Sequence, residues 1–166
     1  MIPIKDAIAT GAWLHAEHIE PSRPDSELTF SIKITSFSKI DTSKITNPFK
    51  SDDPAHYELN IALGLNNWLL GFDIINLCKK RINDIYTIGN ALALIDNEMF
   101  EFRSHGNTPR GSSWLQGIFN FGTQEHRGQS LVLQPKVKRT AGVVFELPDY
   151  FEDMFLTVHN GSVREL

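Results

Sequence analysis

The segment from Arg103 to Trp114, RSHGNTPRGSSW, combines the residue types that suit the binding of a polar ligand. Its two arginines can donate charged hydrogen bonds to an anion, its glycines allow a flexible backbone, and an aromatic ring closes it. Glycine-rich loops that bind phosphate connect a strand to the N-terminus of a helix, and we predict no helix after this segment. The residue types still make this segment the best binding candidate in the chain, for an anion or another polar ligand, with the contact residues Arg103, His105, Arg110 and Trp114. The alternative is an ordinary loop of the fold.

A second group of candidate ligands lies near the N-terminus, where two histidines and two glutamates fall within six residues: His15, Glu17, His18 and Glu20. On a strand, alternate residues point to opposite sides, so the first two side chains would diverge from the last two. On a helix, the two histidines would share a face, but HAEH lacks the i, i+4 histidine pair of the zinc-protease motif. We therefore predict a solvated segment here, with no metal ion and no cofactor.

The nucleophiles of the chain do not stand in a recognisable catalytic pattern. Ser112 and Ser113 could be combined with His105 or His126, but neither serine lies in a nucleophile-elbow sequence. Cys78 is the only cysteine, which excludes an internal disulfide, and its apolar surroundings predict a half-buried side chain. We therefore predict no catalytic residues. A hydrolase that uses residues 103–128 is the least favoured class of function.

The composition is that of one ordinary globular domain. The chain has 166 residues, of which 41% are hydrophobic and 22% charged, which is sufficient for a core and argues against disorder throughout. Its net charge of -4 disfavours a general nucleic-acid binder. No apolar run is long enough to span a membrane, and the first residues lack a signal-peptide pattern. We therefore expect a cytoplasmic protein if Met1 is the native start, and an extracytoplasmic one if a leader was removed.

Charge is distributed unevenly along the second half of the chain. Residues 103–139 carry six basic side chains and one acidic side chain, a net charge of +5. Residues 140–166 carry five acidic side chains and one basic side chain, a net charge of -4. This pattern is typical of oppositely charged neighbouring faces on a solvated surface. Strongly salt-dependent retention on heparin would instead indicate an anion site.

Alternating apolar side chains predict strands in several places. The clearest strand spans residues 27–37, and a denser one, covered on most of both sides, spans 68–75. Residues 91–102 predict a hairpin around Asp96 and Asn97, and residues 143–158 predict two strands separated by a turn at Pro148. The side chains placed on the inward faces are those of Leu28, Phe30, Ile32, Ile34, Trp68, Leu70, Phe72, Ile74, Val143, Phe145 and Leu147.

The remaining segments lack a regular period. We interpret residues 1–25 as an N-terminal arm, with a short strand at residues 13–19 as an option within it, and residues 76–83 as a basic turn. Residues 41–55 and 103–128 are predicted to be long loops, because prolines, glycines and polar residues interrupt them. A further short strand is predicted at residues 59–63. Helix is the rival interpretation for residues 57–77, but the glycines within that range disfavour it.

Four stretches resemble a family of immunoglobulin-like domains of unknown function that is common in envelope lipoproteins of bacteria and archaea. Some members of this family carry a telomeric-repeat-binding-factor-like label. ELTFSIKITSFSKI is similar to the family's first strand, and WLLGFDIINLCKKRI to its central strand, which ends at an asparagine, here Asn76. ALALIDNEMFEF resembles its hairpin, and LQPKVKRTAGVVFELPD its closing signature. The chain departs from the family at Asn97-Glu98 and at Lys136, where the family prefers glycine.

The resemblance implies an immunoglobulin-like fold and brings no catalytic residues. We therefore predict an all-β protein, an immunoglobulin-like antiparallel β-sandwich of about seven to nine strands over residues 26–166, preceded by the arm at 1–25. By analogy of fold, we expect a non-enzymatic binding module of the bacterial cell envelope that binds another protein. The alternative is a cytosolic immunity or inhibitor protein, linked to a toxin or a phage, that occludes a partner enzyme through an acidic C-terminal face.

Overall fold

The computed structural model describes residues 1–19, 27–39, 65–82, 88–89, 91–103, 132–149 and 151–166. Among them, no helix is long and apolar enough to cross a membrane. The helix and strands that we name are β1 (Ile2–Pro3), α1 (Ile4–Thr10), β2 (Leu14–His18), β3 (Leu28–Lys39), β4 (Leu65–Asn76), β5 (Leu92–Ile95), β6 (Glu101–Arg103), β7 (Lys138–Pro148), β8 (Phe155–Val158) and β9 (Gly161–Glu165).

These strands form two antiparallel sheets that pack face to face. One sheet has the order β1-β8-β5-β6, and the other has the order β7-β4-β3-β2-β9. The predicted all-β antiparallel sandwich is therefore confirmed. The nine strands found in the described residues agree with the predicted number.

The core lies where the apolar alternation of β3, β4 and β7 predicts it. Ile32, Phe72 and Phe145 are fully buried in one hydrophobic cluster. Residues 65–76 form a strand and not a helix, as predicted. Trp68 and Val143, also predicted to face inward, are half-buried at the margin of the cluster. Each large apolar side chain that is fully buried contributes about 1.5–3 kcal/mol, so this shared interior is the main source of stability.

The chain passes from one sheet to the other between β7 and β8, as the proline turn predicts. β7 ends at Pro148, which pairs with Leu65 at the margin of the five-stranded sheet. A proline suits a strand end because it has no N–H to donate to a ladder. In the crossing, the rings of Phe151 and Trp68 pack edge to face, with centroids 5.0 Å apart.

Residues 2–18 belong to the sandwich, where we had expected an arm. β2 lies inside the five-stranded sheet and pairs with β3 on one side and β9 on the other. Leu14 and Ala16 point into the core and are fully buried. The arm was wrong because β2 has only five residues and its inward face ends in His18, so the short apolar alternation did not indicate that this strand belongs to the sandwich.

The helix α1 carries the chain between the sheets, from β1 to β2. Ile4 and Ala7, three residues apart, are buried against the core. Gly11 ends the helix with a φ of 61° and donates its N–H to the Ala7 carbonyl at 3.1 Å. Lys5 Nζ donates to Asp153 Oδ1 at 2.9 Å, and this hydrogen bond raises the pKa of Lys5. Because the lysine is exposed, the pair contributes little to stability.

Asn76, at the end of β4, is the most deeply buried polar residue among those described. Its Nδ2 donates to the carbonyls of Lys80 and Leu133 at 2.9 and 3.0 Å, and its Oδ1 accepts the N–H of Cys78 at 2.8 Å. Its backbone carbonyl accepts the N–H of Lys136 at 2.8 Å. These hydrogen bonds of Asn76 therefore connect the turn after β4 to the segment that precedes β7.

Asn76→Ala should lower the free energy of unfolding by about 3 kcal/mol. The substitution leaves buried backbone groups without partners, at roughly 1–3 kcal/mol each. Asn97→Ala is the matched control, since Asn97 is exposed in the hairpin and its loss should change stability by less than about 0.5 kcal/mol. Urea unfolding followed by circular dichroism measures both variants. Equal midpoints would contradict the structural role assigned to Asn76.

Gly161→Ala should destabilise the protein by about 3 kcal/mol, because a Cβ there would overlap the backbone carbonyl of Glu17 and push β9 away from β2. Gly11→Ala is the comparison. Its positive φ costs about 1 kcal/mol, but only the flexible Lys33 side chain lies near the added Cβ. Thermal unfolding of the two variants ranks them. A larger loss for Gly11→Ala would contradict the close approach of β2 and β9.

Candidate functional site

One of the four residues predicted to form the binding loop lies in the described part of the chain. Arg103 is the last residue of β6, opposite Ala93 of β5, and its Nη1 lies 3.5 Å from Oε1 of Glu101. The convergence of the four side chains stays a prediction, because the other three are not described. The predictions that lie outside the described residues concern His105, Arg110, Trp114, Ser112, Ser113, His126, Glu20, the strand at 59–63 and the loop at 41–55.

The histidines of β2 diverge, as strand geometry predicts. His15 Nε2 lies 2.9 Å from Oε1 of Glu17 on the outer side of the sheet, and the same oxygen lies 3.9 Å from Arg164 Nη2. His18 is buried on the opposite side, where its Nδ1–H donates to the His159 carbonyl. Within the described ranges, no group of three or more histidine, cysteine or acidic side chains could hold a metal ion.

Cys78 is half-buried, as its surroundings in the sequence predict. Its Sγ accepts the N–H of Thr29 at 3.2 Å and lies 3.5 Å from the Thr29 carbonyl. The thiol therefore contacts the backbone of β3 beside the turn that Asn76 holds. These contacts give Cys78 a structural role.

The described residues best placed to contact a partner are Met99 and Phe100, in the turn between β5 and β6. Each exposes 62% of its surface, more than any other large hydrophobic residue in the described part except the C-terminal Leu166. A single exposed apolar side chain is common, but two adjacent ones on an ordered turn are typical of an interaction site. We call Met99 and Phe100 the hairpin tip.

Asp96 holds the backbone of the hairpin tip in one conformation. Its Oδ1 accepts the N–H groups of Glu98 and Phe100, each at 2.9 Å. The backbone N–H of Asp96 donates to the Phe100 carbonyl at 3.2 Å, and Met99 donates to the Asp96 carbonyl at 3.1 Å. Met99 has a φ of 70°, a left-handed conformation that persists here because the surrounding hydrogen bonds fix it. The tip is therefore presented with little freedom to lose on binding.

Polar contacts behind the hairpin join it to the other sheet. His159 lies in the turn between β8 and β9, and its Nδ1–H donates to Glu101 Oε1 at 2.8 Å. The His159 carbonyl accepts the hydrogen bond from His18 of β2, and its N–H donates to the Ala91 carbonyl at 2.7 Å. The base of the hairpin is thus connected to β2 in the five-stranded sheet.

Sequence reasoning predicted the hairpin at residues 91–102 but missed the exposure of its tip. The hairpin itself is confirmed, with β5 and β6 paired on either side of the turn. The available signal was the adjacency of Met99 and Phe100. Neighbouring residues of a strand point to opposite faces, so both could not be buried on one side.

Comparison with known proteins identifies similar chain paths and no family. No protein-family model matches the chain, and no curated protein is significantly similar to it. The secreted protein MPT63 of Mycobacterium tuberculosis is 6% identical with a TM-score of 0.46, over 88% of this chain and 84% of MPT63. A conserved hypothetical protein of Bacillus anthracis is 10% identical with a TM-score of 0.47, over 93% of this chain and 96% of that protein.

A lipoprotein-like protein of Bacillus subtilis, ycdA, is 12% identical with a TM-score of 0.45. The match covers 82% of this chain but only 36% of ycdA. Similarities at this level concern the path of the backbone alone. Kinship with the immunoglobulin-like envelope family stays a prediction.

Asp96→Ala should loosen the hairpin tip without unfolding the protein. The substitution removes the acceptor of two backbone N–H groups, so the Phe100 amide should exchange with solvent roughly tenfold faster. Asp149→Ala, at another exposed turn, is the matched control and should leave that rate unchanged. Amide hydrogen exchange measured by nuclear magnetic resonance reports both. Unchanged exchange at Phe100 in Asp96→Ala would contradict the role of this carboxylate.

Proposed function

We propose that this chain is a non-enzymatic binding module whose partner is another protein, and that the hairpin tip is the centre of the contact. The observation that carries the proposal is the 62% exposure of both Met99 and Phe100 on a turn that Asp96 holds. Aromatic residues and methionine are enriched in protein interfaces, and a few such anchors supply most of the binding energy.

The charges around the tip indicate the chemistry of the partner. Glu98 is exposed directly before the tip, and Glu101 follows it. The Glu101 carboxylate is already engaged by His159 at 2.8 Å and lies near Arg103, so Glu98 is the acidic group left to contact a partner. We therefore expect an apolar pocket with a basic residue on its rim, because complementary charge guides orientation and association.

We also propose that the protein resides in the cell envelope. The support for this location is the resemblance to the envelope family. The alternative, an immunity or inhibitor protein acting through an acidic C-terminal face, has weaker support. Glu146 lies on β7 and Glu165 on β9, at opposite edges of the five-stranded sheet. Asp153 is paired with Lys5. The C-terminal acids therefore do not form one continuous face.

Photo-crosslinking in cells of the organism that makes the protein tests the proposal. p-Benzoylphenylalanine is placed at position 100 in one bait and at position 8 in another, since Ile8 is an exposed apolar residue of α1. We expect one defined protein to be crosslinked from position 100 and not from position 8. That protein, purified, should bind the native chain and lose about thirtyfold in affinity with Phe100→Ala.

Phe100→Ala should change the free energy of unfolding by less than about 0.5 kcal/mol, because the side chain is exposed, so a loss of affinity is not a loss of fold. Identical crosslinks from positions 100 and 8 would contradict the proposal, as would crosslinks only to a second copy of the chain. The absence of any crosslink from position 100 would also contradict it.

A further inference from the structure

Two short segments, 76–82 and 133–139, contain a concentration of positive charge that the chain as a whole does not have. Together they hold six basic side chains and no acidic one, in a protein whose net charge is -4. All six residues are exposed. We call this set the basic surface; its members are Lys79, Lys80, Arg81, Lys136, Lys138 and Arg139.

Backbone pairing places the two segments side by side, although residues 83–132 separate them in the sequence. Asn76 forms a bridge with Pro135, and Ile82 exchanges two backbone hydrogen bonds with Leu133, at 2.9 and 2.8 Å. The Asn76 amide adds the bonds to the Lys80 and Leu133 carbonyls. The backbone of these basic residues therefore lies at one end of the five-stranded sheet, where β4 ends and β7 begins.

Within the described ranges, two acidic residues lie near this surface. Asp73 Oδ2 lies 4.0 Å from Lys138 Nζ, and the other carboxylate oxygen accepts the hydroxyl of Thr140 at 2.7 Å. The backbone of Glu27 is near the turn, since Cys78 Sγ lies 3.8 Å from the Glu27 carbonyl. Even with both carboxylates counted, the surface keeps a positive charge.

Two aliphatic side chains are exposed among these cations. Leu77 precedes Lys79 by two residues, and Val137 stands between Lys136 and Lys138; each aliphatic residue exposes 41% of its surface. Leu77 directly follows β4 and Val137 directly precedes β7, so both lie at the strand ends that carry the cations. Cations mixed with exposed aliphatic groups are the composition that binds at a lipid-water interface.

We propose that the basic surface docks onto a membrane that contains anionic phospholipids. The lysines and arginines would contact lipid phosphates, and Leu77 and Val137 would enter the interface between the headgroups. Nucleic acid is a poorer match, because exposed aromatic rings for base stacking do not occur in the two segments. An acidic protein is also a poorer match, since four of the six cations are lysines, which protein interfaces disfavour. This inference is independent of the hairpin tip, which belongs to the four-stranded sheet.

Co-sedimentation with large vesicles tests the electrostatic part of the proposal. We expect the native chain to bind phosphatidylcholine vesicles that contain phosphatidylglycerol, and not pure phosphatidylcholine vesicles. The variant Lys79→Gln, Lys80→Gln, Arg81→Gln should lose roughly a hundredfold in partitioning, at about fivefold for each cation. The matched control, Lys5→Gln, Lys39→Gln, Arg164→Gln, removes the same charge outside the basic surface and should lose less than about threefold.

A second pair of variants tests the aliphatic contribution. Leu77→Ser with Val137→Ser should weaken vesicle binding about tenfold and leave its salt dependence in place, because the cations remain. Ile8→Ser with Ile19→Ser removes two exposed aliphatic groups elsewhere and should leave binding unchanged. Circular dichroism of each variant confirms that the fold is retained.

Three outcomes would overturn the proposal. The first is equal binding of the native chain to neutral and anionic vesicles, or binding to neither. The second is an equal loss in the two charge variants. The third is retention on heparin or DNA that depends on the basic surface, without vesicle binding, which would indicate a polyanion other than lipid. Met99→Ser with Phe100→Ser should bind vesicles like the native chain, so failure here and failure of the proposed protein contact are distinguishable.

Discussion

The buried amide of Asn76 is the constraint on which the end of the sandwich that carries the basic segments depends. The inward side of β4 reads Leu70, Phe72, Ile74 and then Asn76, so a polar group stands where the pattern calls for another apolar one. Such a group is tolerated because its donors and its acceptor are all satisfied by backbone partners. Because of these hydrogen bonds, the turn after β4 and the segment before β7 lie side by side. The six basic residues lie on these two segments.

The protein presents two surfaces of different chemistry on one apolar interior. The hairpin tip offers rigid apolar contact, and the basic surface offers charge with aliphatic side chains between the cations. Both are built on strand ends, where the core fixes the backbone and the side chains are free to contact a partner. A protein that contacts a membrane with one sheet and a second protein with the other would act by holding the two together.

The sandwich could be predicted from sequence because its long strands are regular. Leu28 to Ile34 alternate over enough residues for the period of two to be clear, and in Leu70 to Ile74 the same period, with a glycine inside the run, favoured strand over the rival helix. The place of β2 inside the sandwich was not predicted. Its five residues contain two histidines and a glutamate and so carry little apolar pattern, although β3 and β9 pair with it on both sides. The basic surface could not be seen either, because its cations are spread over two distant segments. The sequence shows a basic turn at residues 76–83 and a basic region at 103–139, but nothing in it indicates that the two lie together.

Asn76 joins the two basic segments, and amide hydrogen exchange at the junction tests this role most directly. The N–H groups of Cys78, Leu133 and Lys136 donate to Asn76 Oδ1, Ile82 and Asn76 respectively. These three amides should therefore exchange as slowly as amides within β4. If they exchange at the rate of unprotected turns while β4 stays protected, the segments are not joined, and the basic surface is not a unit.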